Sequence, residues 1–237
     1  KIRANGLDTT VGTRLGQLTT VDFGDVSGVS TITVNRSGAG GLTLENLQEI
    51  SALTLDREDD NGPVTMVYKA STIAGASDSI TLTINNSSNA GLINVDGIET
   101  INLVSTNNPS GDANELTLDE AATGTNTETL NISGAGDLEI TDTDSLTITN
   151  SASGDVEILD ATLATSVTHT GTGELDVTLD VDDATVTASS TGALVVTATE
   201  AGDLTLTGGS GADTFEMGAT LVYTDASNHD VIDGGAG

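Results

Sequence analysis

The chain contains no cysteine and no tryptophan, and only two phenylalanines, two tyrosines and two prolines in 237 residues. Without cysteine it is not a small domain held by a disulfide framework. Without aromatics there is no bulky core, so leucine, isoleucine, valine and threonine must supply the packing. Such residues suit a thin, repetitive core of short strands better than a compact two-layer domain. Basic residues are equally scarce. All six lie at or before Lys69, where nine acids leave a net charge of 6 − 9 = −3; from Ala70 onward 27 acids meet no lysine or arginine. That surface repels nucleic acid and anionic membrane and attracts divalent cations. No apolar run is long enough to span a membrane as a helix, so no membrane insertion is expected.

Helical periodicity is nearly missing. The stretches Leu42–Ile50 and Leu118–Ala122 are the best helix candidates, and both are too short to stand alone. What recurs instead is an apolar–polar–apolar beat: Ile32-Thr-Val34, Leu53-Thr-Leu55, Ile101-Asn-Leu103, Leu130-Asn-Ile132, Leu146-Thr-Ile148, Leu175-Asp-Val177, Leu204-Thr-Leu206. Each reads as a short strand with one face inward and Thr, Asn, Asp or Glu outward. Glycines precede such strands at Gly136, Gly154, Gly173, Gly192 and Gly202, the first four at intervals of 18, 19 and 19 residues. Weaker strands lie between them. A strand, a turn and a second strand thus fill about 19 residues, the signature of a solenoid whose turns stack only on their neighbours.

The fold expected is all-β: a right-handed parallel β-helix or β-solenoid. Residues 1–110 form a less regular part, 111–207 a regular part, and 208–237 a glycine-rich C-terminal region. In the irregular part, Gly41-Leu-Thr-Leu and Gly91-Leu-Ile-Asn open two similar segments about 50 residues apart, spaced as three turns with insertions. Pro63 and Pro109 both fall in polar loops, where no ladder hydrogen bond is needed.

Gly208–Phe215 reads G-G-S-G-A-D-T-F. It matches the pattern G-G-x-G-x-D-x-U-x of calcium-binding β-helix repeats. Calcium takes six to eight oxygen ligands. Glycines let the backbone turn its carbonyls toward an ion, and Asp213 adds a charged oxygen. Phe215 points inward and closes the turn. Asp230-Val-Ile-Asp233-Gly-Gly-Ala-Gly237 begins a second copy, which stops before its aspartate, so the chain reads as a piece of a longer protein. The two glycine pairs are 26 residues apart, which argues against direct adjacency of the two loops. Further acids (Asp142 with Asp144; Asp180, Asp182 and Asp183; Asp160 nearby; a line of Asp137, Asp155, Glu174 and Asp203) are candidates for additional ions.

These residues, with the junction T-L-T-G-G-S-G-A-D-T-F and the texture of G-x-L-x-I strands, resemble bacterial RTX proteins, and among them the surface-layer proteins and large adhesins of Gram-negative bacteria. The resemblance implies β-roll-like calcium-binding turns at the C-terminal end, with 208–237 the start of the calcium-binding region and calcium shared between successive turns. Gly208, Gly209, Ser210, Gly211 and Asp213 would line one side of a site, and Asp230, Asp233, Gly235 and Gly237 another. It implies a secreted, extracellular, cell-surface protein that self-associates into a lattice or a longer solenoid, with cell-surface polysaccharide as a further partner. The competing expectations are an adhesin module and the non-catalytic C-terminal region of a secreted hydrolase. Catalysis within the chain is not expected. Polysaccharide-cleaving β-helices use a base or arginine beside paired carboxylates, and no lysine or arginine follows Lys69. His169 falls in a strand and His229 in a polar loop, and there is no H-E-x-x-H motif.

Overall fold

Alternating apolar residues fix both the strands and their register, because a slip of one residue would turn every leucine out to water. The computed structural model describes residues 9–12, 19–56, 62–109, 111–119, 129–199, 202–217, 223–225 and 228–237. It is the expected right-handed parallel β-helix, flattened into two parallel sheets between which the chain alternates.

The first sheet runs β1 (Thr9–Gly12), β3 (Thr31–Arg36), β5 (Ala52–Asp56), β7 (Ser79–Asn85), β9 (Thr100–Ser105), β11 (Thr129–Gly134), β13 (Thr147–Asn150), β15 (Ser166–His169), β17 (Ala184–Ala188), β19 (Leu204–Thr207) and β23 (Val231–Asp233). The second runs β2 (Thr19–Asp22), β4 (Leu42–Leu47), β6 (Val64–Tyr68), β8 (Leu92–Asn94), β10 (Asn114–Asp119), β12 (Leu138–Ile140), β14 (Val156–Ala161), β16 (Leu175–Leu179), β18 (Leu194–Ala198) and β20 (Thr214–Met217). A separate hairpin, β21 (Tyr223–Asp225) with β22 (Asn228–His229), is the one antiparallel pairing among the described residues. No described helix is long and apolar enough to cross a membrane.

The core lies between the sheets as stacked columns. Leu130, Ile148, Val167, Val186 and Leu206 follow one another in register on the first sheet. Ile140, Ile158, Val177, Val196 and Phe215 do so on the second. All but Phe215 are buried, and Phe215 packs partly buried against them, as its place in the motif implied. Each such aliphatic side chain contributes about 1.5–3 kcal/mol by burial. No turn buries its own apolar face alone, so stability is shared between neighbours.

Several sequence expectations change. Leu42–Ile50 is not helical: Leu42–Leu47 is β4, because Leu42, Leu44 and Leu47 all reach the core. Gly41 and Gly91 are equivalent, with φ of 83° and 70° before β4 and β8, but only β6 separates those strands, so the copies are two turns apart rather than three. The extra residues sit in loops rather than in an additional turn. Leu118 belongs to β10, and the rest of the Leu118–Ala122 helix candidate, like Asp119's side chain, lies outside the described residues.

Strand β10 pairs through Asn114–Leu116 with β12 and through Thr117–Asp119 with β8. The ladder is offset there, and a buried side chain fills the hydrogen bonds that the offset opens. Asn114 Oδ1 accepts from Ser87 N at 2.8 Å, while Nδ2 donates to Ser105 Oγ at 2.8 Å and to the Asn107 carbonyl at 3.1 Å.

Candidate functional site

The turns that carry the chain from the first sheet to the second share one pattern. They read S-G-A-G-D-L (133–138), S-A-S-G-D-V (151–156), T-G-T-G-E-L (170–175), S-S-T-G-A-L (189–194) and G-G-S-G-A-D (208–213). Gly136, Gly154, Gly173, Gly192, Gly211 and Gly237 stack in a column, each Cα pressed against the carbonyl of the glycine before it from Gly154 onward. A β-carbon at Gly154 would come within 2.5 Å of the Gly136 oxygen. Beside this column the turns hydrogen-bond directly: Thr172 N to Ala152 O at 3.1 Å, Ser210 N to Ser190 O at 2.9 Å, Ala236 N to Gly209 O at 2.7 Å. Gly208–Asp213 is therefore the fifth member of a turn series that begins at Ser133. Gly202 is not in that column. It packs on Asp182 along the opposite set of turns.

The two glycine loops are adjacent despite the 26 residues between them. Gly208 N donates to Asp233 O at 2.7 Å, and Gly235 and Gly237 press on the carbonyls of Gly208, Gly209 and Gly211. The chain between them forms β20 in the second sheet and then the β21–β22 hairpin, and it re-enters in register as β23. The surplus length is an excursion and not an inserted turn.

Asp213 occupies the inward column of Leu138, Val156, Leu175 and Leu194. In the earlier turns the amides of Leu138, Val156 and Leu175 donate to the carbonyls of Asp155, Glu174 and Ala193 at 2.8–2.9 Å. Leu194 N instead donates to Asp213 Oδ1 at 3.0 Å. Asp213 Oδ2 is buried and has no hydrogen-bond partner among the described residues. It lies against Gly208, in the space that a β-carbon there would fill, and the Gly234 carbonyl faces the same space at 2.6 Å from that point. A partnerless buried carboxylate oxygen is costly unless a proton or a cation meets it.

The other sequence-predicted site residues divide. Asp233 joins through its carbonyl, while its Oδ1 accepts from Gly235 N at 3.0 Å. The Ser210 hydroxyl turns toward the preceding turn and donates to Ser190 O at 3.0 Å. Asp230 lies at the other end of β23, about 10 Å along the strand, where its Oδ1 accepts from Leu204 N at 3.0 Å. Among the described residues no group of three His, Asp or Glu side chains is placed to hold a metal. The converging donors are one carboxylate and backbone carbonyls, an all-oxygen set of the kind calcium accepts.

The remaining acids are organised as ladders. Asp137 Oδ1 accepts from Asp155 N, and Asp155 Oδ1 from Glu174 N, both at 2.9 Å, so each carboxylate ties down the next turn. Asp203 is not part of this line; its amide donates to Asp183 Oδ1 at 3.0 Å on the opposite side. A second row, Glu115, Glu139, Glu157 and Asp176, stands in register on the outer face of the second sheet. Burial and then the neighbouring charges of Glu139 and Asp176 hold the Glu157 carboxyl above its usual range. Asp176 is raised likewise by burial and Glu216, and Asp160 by burial, Asp180 and Asp144.

One interior feature carried no sequence signal beyond its place in a strand. His169 is fully buried and in register with Asn150. Its Nδ1 lies 3.4 Å from Asn150 Nδ2, and its Nε2 has no partner within hydrogen-bond distance among the described residues. Burial pushes the imidazole below its ordinary value, partly offset by backbone groups and the charge of Asp213.

Comparison with family models, curated proteins and solved structures returns no match. The chain is an all-β parallel solenoid, an architecture consistent with a structural, scaffold or adhesin-type role.

Proposed function

We propose that the chain is a calcium-stabilised structural solenoid of a bacterial surface layer, folding and self-assembling outside the cell. The observation that carries this reading is the buried, partnerless Asp213 Oδ2, set beside the Gly234 carbonyl between two directly stacked glycine turns. A calcium ion there would supply the positive charge that the chain itself lacks beyond Lys69 and would tie the two turns together. The residues that would hold it are Asp213, through Oδ2, and the carbonyls around Gly208 and Gly234. Gly235 and Gly237 keep the turns close enough for both to contribute. An ion bound by the folded chain and not by the unfolded one adds stability by linkage. A strongly acidic chain held unfolded where calcium is scarce would then fold once exported.

The test is calcium titration of the chelator-treated chain by calorimetry, with melting followed in parallel. Saturable binding and a rise in melting temperature are expected. Unchanged melting across the titration would overturn the calcium reading. Lattice formation in calcium, viewed by electron microscopy, tests the assembly role separately. Persistently monomeric protein would remove it.

A further inference from the structure

The outward positions of the first sheet form a two-row array. From β13 to β19 they are Thr147 and Thr149, Ser166 and Thr168, Thr185 and Thr187, Thr205 and Thr207, matched in register at every pairing. The same rows begin earlier as Thr100 with Asn102 and Thr129 with Asn131. Neighbouring turns stand about 4.8 Å apart, and the two rows about 6.7 Å apart along each strand.

Threonine suits any exposed strand position, so its abundance alone proves little. One observation separates this face from ordinary strand composition, and a second shows what it presents. No acid or base occupies either row from Thr100 to Thr207, although the chain carries 36 acids and the corresponding face of the other sheet bears Glu115, Glu139, Glu157 and Asp176. The hydroxyls of Thr147, Thr149, Ser166, Thr168, Thr185, Thr187, Thr205 and Thr207 also make no hydrogen bond to any described residue. Threonines in the turns do: Thr106, Thr162, Thr165, Thr170 and Thr199 each bond a carbonyl or a side chain, whereas outward strand threonines of the second sheet such as Thr178 and Thr197 share the unbonded state. The array hydroxyls are thus left to solvent, on a face cleared of charge.

We propose that this face binds the surface of crystalline ice. A protein partner is recognised through pockets, anchors and opposed charges, and it gains nothing from one residue type repeated at a constant interval. A periodic solid does. Ice is an uncharged lattice of hydrogen-bond donors and acceptors whose oxygen repeats are close to both spacings of the array. Threonine presents a hydroxyl and a methyl on a stiff, β-branched side chain, so little rotamer freedom remains to be lost on docking. The strand ladder fixes the positions before any ice is met. This inference does not depend on calcium assembly.

The experiment is partition of the folded chain into slowly growing ice, with and without calcium, together with inhibition of ice recrystallisation. The intact chain is expected to enter the ice. Thr168→Tyr with Thr187→Tyr, which raises bulk in the middle of the array, is expected to be excluded like a non-binding protein. Thr178→Tyr, on the outer face of the second sheet, is expected to behave as the intact chain. Thr168→Val with Thr187→Val, which keeps the shape, guards against misfolding in the bulky variant and should give intermediate partition. Exclusion of the intact chain from ice overturns the proposal, as does retention of the folded tyrosine variant. Binding to crystalline polysaccharide without binding to ice overturns it too, and so does a dimer that the tyrosine variant abolishes.

Discussion

Leu194 donates its amide hydrogen to Asp213 Oδ1 at 3.0 Å, where the equivalent leucines and valine of three earlier turns donate to a backbone carbonyl. One carboxylate thus performs two separable tasks. Oδ1 replaces a ladder acceptor, and Oδ2 is left over for a cation. Asp213→Asn keeps an oxygen for Leu194 and removes the charge. It is expected to preserve metal-free melting while abolishing the stabilisation by calcium. Asp213→Ala is expected to lose about 1–2 kcal/mol of metal-free stability as well. Calorimetric titration and denaturant unfolding of both variants check the distinction, and an unchanged calcium stoichiometry in Asp213→Asn would refute it.

The glycine column makes a sharper test of turn stacking. In Gly173→Ala the new methyl would meet the Gly154 carbonyl, which belongs to the backbone of the neighbouring turn and has little freedom to move. A loss of about 2–3 kcal/mol is expected from overpacking. Gly234→Ala is the control, because nothing lies within 4 Å of its added β-carbon. Its unfolding midpoint is expected to stay within the range of a surface substitution, about 0.5 kcal/mol.

Asn114→Ala should be among the most damaging single substitutions. It removes three hydrogen bonds at a fully buried position and leaves Ser87 N without its acceptor. A loss of about 3 kcal/mol is expected, read from urea unfolding. Hydrogen exchange should localise the loosening to β8 and β10. Uniform exchange along the chain would contradict the plug role.

Acid should act on the fold in two opposing directions. His169 is held below its ordinary value of 6.5, so the unfolded chain takes up a proton that the fold refuses, and stability falls as pH drops below about 6.5. Glu157, Asp160 and Asp176 are held above their ordinary values, so the fold takes up protons before the unfolded chain does. Their contribution increases as pH falls toward the carboxylate range. His169→Asn is expected to remove the loss below pH 6.5 and leave the gain. Glu157→Gln is expected to raise stability at neutral pH by relieving repulsion. Melting against pH in the presence of chelator reads both, and an unaltered profile in His169→Asn would discard the histidine explanation.

The strands were legible in the sequence because burial on one side imposes alternation, and Leu130-Asn-Ile132 or Leu204-Thr-Leu206 cannot satisfy it any other way. The turn series was only half legible. Gly136, Gly154, Gly173 and Gly192 announce it by spacing, but Gly211 follows at the same interval inside a motif that draws attention to its ion-binding pattern instead. Gly202 has the same local sequence cue and belongs to the other set of turns, since spacing alone does not tell which sheet a strand joins. The adjacency of Gly208 and Gly234 was hidden by the hairpin between them. A ladder aligns turns, and residues that leave it do not count. His169 gave no signal, because an inward histidine in a strand looks the same as an outward one until the register is known.

The β21–β22 hairpin leaves the solenoid after β20 and the chain returns as β23 opposite β19, with the column positions kept. Contour length and axial rise are therefore uncoupled at this point. The axial spacing of the strands on either side is set by the pairing of β19 with β23 and not by the length of chain between them.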